Sequence, residues 1–160
     1  MEVYLVQHGE AKPKEEDANR PLTSRGRREV SLVSSYVAGV GIRVAQIFHS
    51  GKLRARETAQ IFAEQLHLED QIKEIENLNP LADPQLIRSW IGEEREPILL
   101  VGHLPHLSRL LSLLILNDPH KEIVKFRMGG IVSLDKGEGK WGIKWILTPE
   151  LIKKDFEILM

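Results

Sequence analysis

Residues 97–106 read Pro97-Ile98-Leu99-Leu100-Val101-Gly102-His103-Leu104-Pro105-His106. The run from Pro97 to Val101 is apolar without alternation, the pattern of a strand covered on both faces. Pro105 then opens an apolar helix to Leu116, proline being pre-set for a first helical turn. The same strand-then-helix order extends toward the N-terminus. Glu2–Gln7 is a short strand rich in β-branched residues, followed by a polar loop over 9–22 that contains Pro13 and Pro21. Val30, Val33 and Val37 have the i, i+3, i+7 spacing of a helix, capped by Thr23 or Ser24 and ending near Gly39 and Gly41. Val44–His49 reads as a strand, and Lys52–Leu66 as a helix burying Ala55, Ala59, Phe62 and Leu66.

Ile72–Ile75 is a weak strand, and Asp83-Pro84 is the cap and first residue of a short helix to Ile91. Ile123–Phe126, Ile131–Leu134 and Trp141–Leu147 close the chain as strands, the last two joined by a Gly- and Lys-rich turn, and Pro149 opens a final helix. Alternating strands and helices predict an α/β three-layer sandwich. Its central sheet is mainly parallel with helices on both faces, and the closing hairpin adds antiparallel strands at an edge. One domain spanning 1–160 is expected, since single domains commonly run about 100–150 residues.

Composition narrows the chemistry. With 42% hydrophobic and 28% charged residues, the chain matches ordinary globular proteins rather than disordered or collagen-like ones. Lys+Arg 22 against Asp+Glu 23 leaves a net charge of -1, so no global positive field calls for nucleic acid. Zero cysteines exclude a disulfide scaffold and a thiol nucleophile. The N-terminal apolar run is too short for a signal peptide, and Leu110–Leu116 is far below the roughly 20 residues of a membrane span. A soluble, cytoplasmic protein is expected, with no membrane partner.

Ligands of open α/β sheets bind beyond the carboxyl ends of the strands. The first strand ends Val6-Gln7-His8-Gly9-Glu10, and the apolar strand ends Val101-Gly102-His103-Leu104-Pro105. Each sets a histidine beside a glycine, a residue that permits close approach of a ligand. The second strand ends His49-Ser50-Gly51, and the helix after it begins with Lys52, Arg54 and Arg56. Cations are mildly disfavoured at a helix N-terminus, so their presence there fits an anion that meets both the backbone N–H groups and Arg54. Each feature alone has a plain reading: a hydrogen-bonding histidine, a solvated surface charge, a helix cap at Asp83. His67 and His120 read as surface residues. Joint placement in one crevice is what selects chemistry. No HExxH-like spacing calls for a metal, and no cofactor is expected.

Four segments then resemble one family, the histidine phosphatase superfamily, and within it the SixA-type phosphohistidine phosphatases. Gln7-His8-Gly9-Glu10-Ala11 is similar to its Arg-His-Gly motif. Arg20-Pro21-Leu22-Thr23-Ser24-Arg25-Gly26 is similar to Arg-Pro-Leu-Thr-x-x-Gly. Ser50-Gly51-Lys52-Leu53-Arg54-Ala55-Arg56-Glu57-Thr58-Ala59 is similar to Ser-Pro-x-x-Arg-Ala-x-x-Thr-Ala. Val101-Gly102-His103-Leu104-Pro105 is similar to Gly/Ser-His-Leu-Pro. Any one is weak; four in order are specific.

The resemblance implies a phosphoglycerate mutase-like fold, with no large helical insertion because 160 residues leave little room for one. It implies that His8 is a nucleophile accepting a phosphoryl group and that Arg54 and His103 line the phosphate pocket, with Gln7 and Gly9 beside them. The family has arginine where this chain has Gln7. A glutamine amide offers donors but no charge, and cannot make arginine's bidentate fork to phosphate. Arg25, Arg27 and Arg127 are candidates to replace that cation. Glu76 and Asp83, after the third strand, and Glu10, beside the nucleophile, are candidate general acids. The implied activity is removal of a phosphoryl group from phosphohistidine on a protein through a covalent intermediate on His8. Two alternatives stand: a phosphatase of small phosphate esters, or a phosphate- or phosphoprotein-binding module with weak or no turnover because of Gln7.

Overall fold

A computed structural model describes residues 1–152. Six strands form one sheet: β1 (Glu2–Gln7), β2 (Gln46–His49), β3 (Ile72–Glu74), β4 (Ile98–Gly102), β5 (Ile131–Gly137) and β6 (Lys140–Leu147), in the spatial order β3-β2-β4-β1-β5-β6. β1, β2, β3 and β4 are mutually parallel. β5 pairs antiparallel with β1 and β6, so the closing hairpin occupies one side of the sheet with β6 at the edge. Its tight turn has Glu138 and Gly139 both at positive φ, as a two-residue hairpin turn of the primed type requires.

Side-chain alternation along the strands divides the core into two layers. Tyr4, Val6, Leu99, Val101 and Ile131 face α1 (Ser24–Val40) and α2 (Leu53–Leu66). Val3, Leu5, Ile98, Leu100, Val132 and Leu134 face α3 (Pro84–Ile91) and α4 (His106–Leu116). This is the expected sandwich. β1 and β4 lie side by side, with Gln7 opposite Gly102 in the register. The chain leaves β1 through α1 on one face and leaves β4 through α4 on the other. In open α/β sheets such a divergence, at the carboxyl ends of the strands, is where ligands bind.

The caps follow sequence chemistry at two helices. The Thr23 side chain accepts from Gly26 N–H, and Asp83 accepts from Gln85 N–H with Pro84 as first helical residue. The other two helices, α2 and α4, begin at Lys52 and Pro105 without any side-chain cap.

Two expectations are corrected. Ile123–Phe126 is not a strand: residues 121–127 have no regular structure and pair with no strand of the sheet. The run is used as core filler instead, Val124 joining the α3/α4 layer with Phe126 packed against it. Pro149 opens only a 3₁₀ turn, Pro149–Leu151, and any continuation lies outside the described residues. Among the described residues no helix is long and apolar enough to cross a membrane.

Candidate functional site

The register of β1 against β4 brings the two strand-terminal histidines together. His8 N–H donates to the Gly102 carbonyl at 3.1 Å, and the rings of His8 and His103 stand 5.1 Å apart between centroids, tilted by 49°. His8 Nδ1 lies 2.7 Å from the Gly9 carbonyl oxygen. A carbonyl only accepts, so Nδ1 carries the hydrogen and Nε2 of the neutral ring carries the lone pair. Burial, opposed by the Gly9 hydrogen bond and reinforced by the charges of Arg54 and Arg20, lowers the His8 pKa to about 4. Near neutral pH the ring is therefore uncharged with Nε2 unprotonated.

His103 is also buried, and burial together with the charges of His8, Arg54, Lys52 and His106 lowers its pKa to about 3. Its Nε2 is hydrogen-bonded to Ser50 Oγ at 2.6 Å, while its Nδ1 is buried without a partner. Ser50 comes from the turn after β2, so that bond ties the end of β2 to the end of β4. The turn itself is shaped by His49, whose Nδ1 accepts from Gly51 N–H at 3.0 Å, and by Gly51 at φ +92.

Arg54, in the first turn of α2, has its Nε buried and unpartnered, and burial plus the Arg20 charge lower its pKa. Thr58, one turn further on, is fully buried. Its hydroxyl donates to the Arg54 carbonyl at 2.8 Å and accepts from Gly9 N–H at 3.0 Å. One side chain thus fixes the helix that bears Arg54 against the loop that bears His8. Gln7 is buried with its Oε1 unpartnered. Unpaired donors and acceptors of this kind are rare in protein interiors. Here they gather around neutral histidines, one guanidinium and an uncapped helix start, which is an arrangement ready for an anion.

Gly9 is close to the pocket for a different reason from the one its sequence suggests. Its N–H is held by Thr58 and its carbonyl by His8, and an added Cβ would lie 2.8 Å from Val30 Cγ2. The small residue admits α1, and its peptide groups orient the neighbouring ring.

The three carboxylates proposed as acids have separate surroundings. Glu10 Oε1 accepts from the Thr23 hydroxyl at 2.7 Å, Asp83 caps α3, and Glu76 is exposed. A fourth, Glu74, was not singled out by its sequence context. It ends β3 with its carboxyl group against Gly51, where an added Cβ would come within 2.6 Å of its Cδ.

The arginines suggested as substitutes for the family cation are engaged elsewhere. Arg25 pairs with Glu29, Arg27 with Glu57, and Arg127 with both Glu29 and Glu150. Arg20, Ser50 and Thr58 all lie inside the quoted motifs. Only the register and the loop path disclose what they touch.

The α/β sandwich sets this pocket at the carboxyl ends of β1 and β4, and the chain is similar to phosphatases of the histidine phosphatase type. Residues 3–79 match the branch 1 model of the histidine phosphatase superfamily. The chain is 26% identical over 155 residues to phosphohistidine phosphatase SixA of Escherichia coli (strain K12), covering 93% of this chain and 94% of that protein. A solved structure of the protein histidine phosphatase SixA complexed with tungstate superposes with a TM-score of 0.84 at 26% identity, covering 96% of this chain and 100% of that one. The putative phosphohistidine phosphatase SixA of Agrobacterium tumefaciens gives 0.76 at 26% identity, over 92% of this chain and 97% of that one.

Proposed function

We propose that this phosphatase acts on phosphohistidine carried by another protein, using His8 as its nucleophile. The single observation that carries the reading is the Nδ1–H bond from His8 to the Gly9 carbonyl, which leaves Nε2 as a free lone pair in a pocket shared with Arg54 and His103. In the first step Nε2 forms a bond to phosphorus while the phosphorus–nitrogen bond of the substrate breaks, and the released imidazole takes up a proton. The phosphorylated His8 ring carries positive charge that its Nδ1–H shares with the Gly9 carbonyl. In the second step water attacks phosphorus, the Nε2–phosphorus bond breaks, and inorganic phosphate leaves.

The transferring group spreads charge over three equatorial oxygens, and the pocket must supply donors to them. Arg54 supplies a permanent charge and the start of α2 its free N–H groups. His103 enters as a neutral ring, and an arriving phosphate dianion raises its proton affinity, making it a donor to the same oxygens. A substrate imidazole is a better leaving group than an alkoxide, so its departure asks less of a general acid. Only α1 to α4 are helices of this size among the described residues, and they all pack on the sheet faces, so no helical insertion roofs the site. An open site suits a phosphorylated side chain presented by a protein surface. The relatives named as phosphohistidine phosphatases point the same way.

The test compares wild type, His8→Ala and Gln7→Arg on a phosphohistidine protein and on p-nitrophenyl phosphate. His8→Ala abolishes turnover of both. Gln7→Arg preserves or raises it, since one donor to a developing oxyanion is worth about 2.7–4 kcal/mol in a comparable setting. Turnover surviving in His8→Ala removes the mechanism. A preference for the small ester over the phosphoprotein assigns the site to small phosphate esters instead. Phosphate binding without wild-type turnover marks a binding module.

A further inference from the structure

Gln7 leaves the phosphoryl pocket one cation short, and the loop leaving that pocket holds another. Residues 11–22 fold back so that their two ends meet. Lys12 N–H donates to the Pro21 carbonyl at 2.8 Å, Ala11 bridges Leu22, and Thr23 N–H donates to the Glu10 carbonyl at 2.9 Å. Arg20 lies half-buried in this neck. Its backbone is in the left-handed region at φ 51, a conformation uncommon for a residue with a large side chain, and its own N–H donates to the Asp17 carbonyl. Its Nε donates to the Lys12 carbonyl at 3.1 Å, which fixes the guanidinium plane and leaves the terminal nitrogens for another partner.

Among the described residues, neither Arg20 nor Arg54 forms an ion pair with a carboxylate. Yet the Arg20 charge acts on Arg54, and it also acts on His8. Two guanidiniums beside two uncharged histidines, with no carboxylate among the described residues paired to either, make a locally positive site suited to an anion. The contrast with Arg25, Arg27 and Arg127 is direct, because each of those has its carboxylate.

We propose that Arg20 is a substrate-binding residue that supplies, from the loop after β1, the positive charge absent at Gln7. The guanidinium contacts the phosphoryl oxygens opposite Arg54, so the charge of the pocket is retained while its source is moved from the strand end to the loop neck. This rests on the reading of the pocket as a phosphoryl site.

The experiment measures inorganic phosphate binding by calorimetry, and p-nitrophenyl phosphate turnover, for wild type, Arg20→Gln, Arg20→Lys, Gln7→Arg and the double variant Gln7→Arg/Arg20→Gln. Arg20→Gln weakens phosphate binding by about tenfold or more, the scale of one hydrogen bond to a charged group. Arg20→Lys falls between, since it keeps the charge and loses the Nε bond. Gln7→Arg restores most of the loss in the Arg20→Gln background and gains less in wild type. An imidazole titration followed by NMR shows the His8 pKa rising in Arg20→Gln, a shift that a purely structural loop residue would not cause. Unchanged phosphate affinity in Arg20→Gln overturns the proposal, as does a loss that Gln7→Arg fails to restore. Either result leaves the phosphatase reading intact if wild type binds phosphate and turns substrate over. A wild type that does neither removes both.

Discussion

Ser50 carries no charge, yet among the described residues its hydroxyl is the one hydrogen-bond partner of the His103 ring. With Nδ1 already unpaired, removing the Ser50 hydroxyl leaves the imidazole without a hydrogen bond on either nitrogen. A ring so released samples other χ2 angles, and the pocket loses a preset donor or acceptor. Ser50→Ala therefore lowers kcat/KM about tenfold, near the value of one hydrogen bond, and costs about 1–3 kcal/mol of stability because the buried ring is left unsatisfied. Steady-state kinetics with p-nitrophenyl phosphate checks the rate, and Ser50→Thr, which keeps the hydroxyl, recovers part of it. Unchanged kinetics in Ser50→Ala would show that packing alone holds His103. At this scale the sequence disclosed residue types but not their bonds. His8, Arg54 and His103 were legible because strand ends and helix starts can be located from periodicity. Ser50, Thr58 and Arg20 were not, because each acts through a partner 53, 49 or 8 positions away in the chain.

The elements that carry the site are fastened at contacts where no side chain fits. α1 approaches the loop after β1 so closely that a Cβ on Gly26 would lie 2.2 Å from the Glu10 carbonyl oxygen and 2.9 Å from Glu10 N. Both obstacles are backbone, so relief requires moving α1 or the His8–Glu10 loop. Gly26→Ala costs about 1–3 kcal/mol, the usual range for overpacking, and lowers activity with it because the loop begins at His8. Gly39, in the last turn of the same helix, faces open space with nothing within 4 Å of an added Cβ. Gly39→Ala stabilises by about 0.5–1 kcal/mol, since alanine is the better helix residue. Thermal unfolding of the two variants gives opposite shifts; equal shifts would mean that helix propensity rather than close approach governs Gly26. The helix itself was readable from Val30, Val33 and Val37 and from its Thr23 cap. Its tight seat on the loop was not, because nothing local to a glycine separates a required one from a replaceable one. The expected strand at Ile123–Phe126 erred for a related reason. A short apolar run reports burial, and burial alone does not separate a strand from a loop whose side chains fill the core, as Val124 and Phe126 do.

Across the whole molecule, a core has been built around titratable rings. His8, His103 and His106 are all buried, and burial leads the causes that hold their pKa values at about 4, 3 and 4, below the usual 6.5. In the unfolded chain the same rings protonate near 6.5. Below that pH the unfolded state binds more protons than the native one, so stability is complete above about pH 6.5 and is lost as pH falls toward 4. The melting temperature should thus drop steeply between pH 7 and 5, on the acid side of neutrality where many proteins remain near their optimum. Bound phosphate flattens this decline, because an anion in the pocket favours protonated His103 and stabilises the native state by mass action. His106 separates the structural share from the catalytic one. It begins α4, fully buried, with both ring nitrogens unpartnered; Arg109 repels its proton, while Asp83 on the neighbouring α3 cap attracts it. An apolar residue there has no proton to take up on unfolding and no orphaned nitrogens to bury. His106→Leu therefore stabilises the protein more at pH 5 than at pH 7.5, by a difference of about 2 kcal/mol. Denaturant titrations of wild type and variant at the two pH values measure that difference, and a gain independent of pH would mean that His106 is not a source of the acid sensitivity.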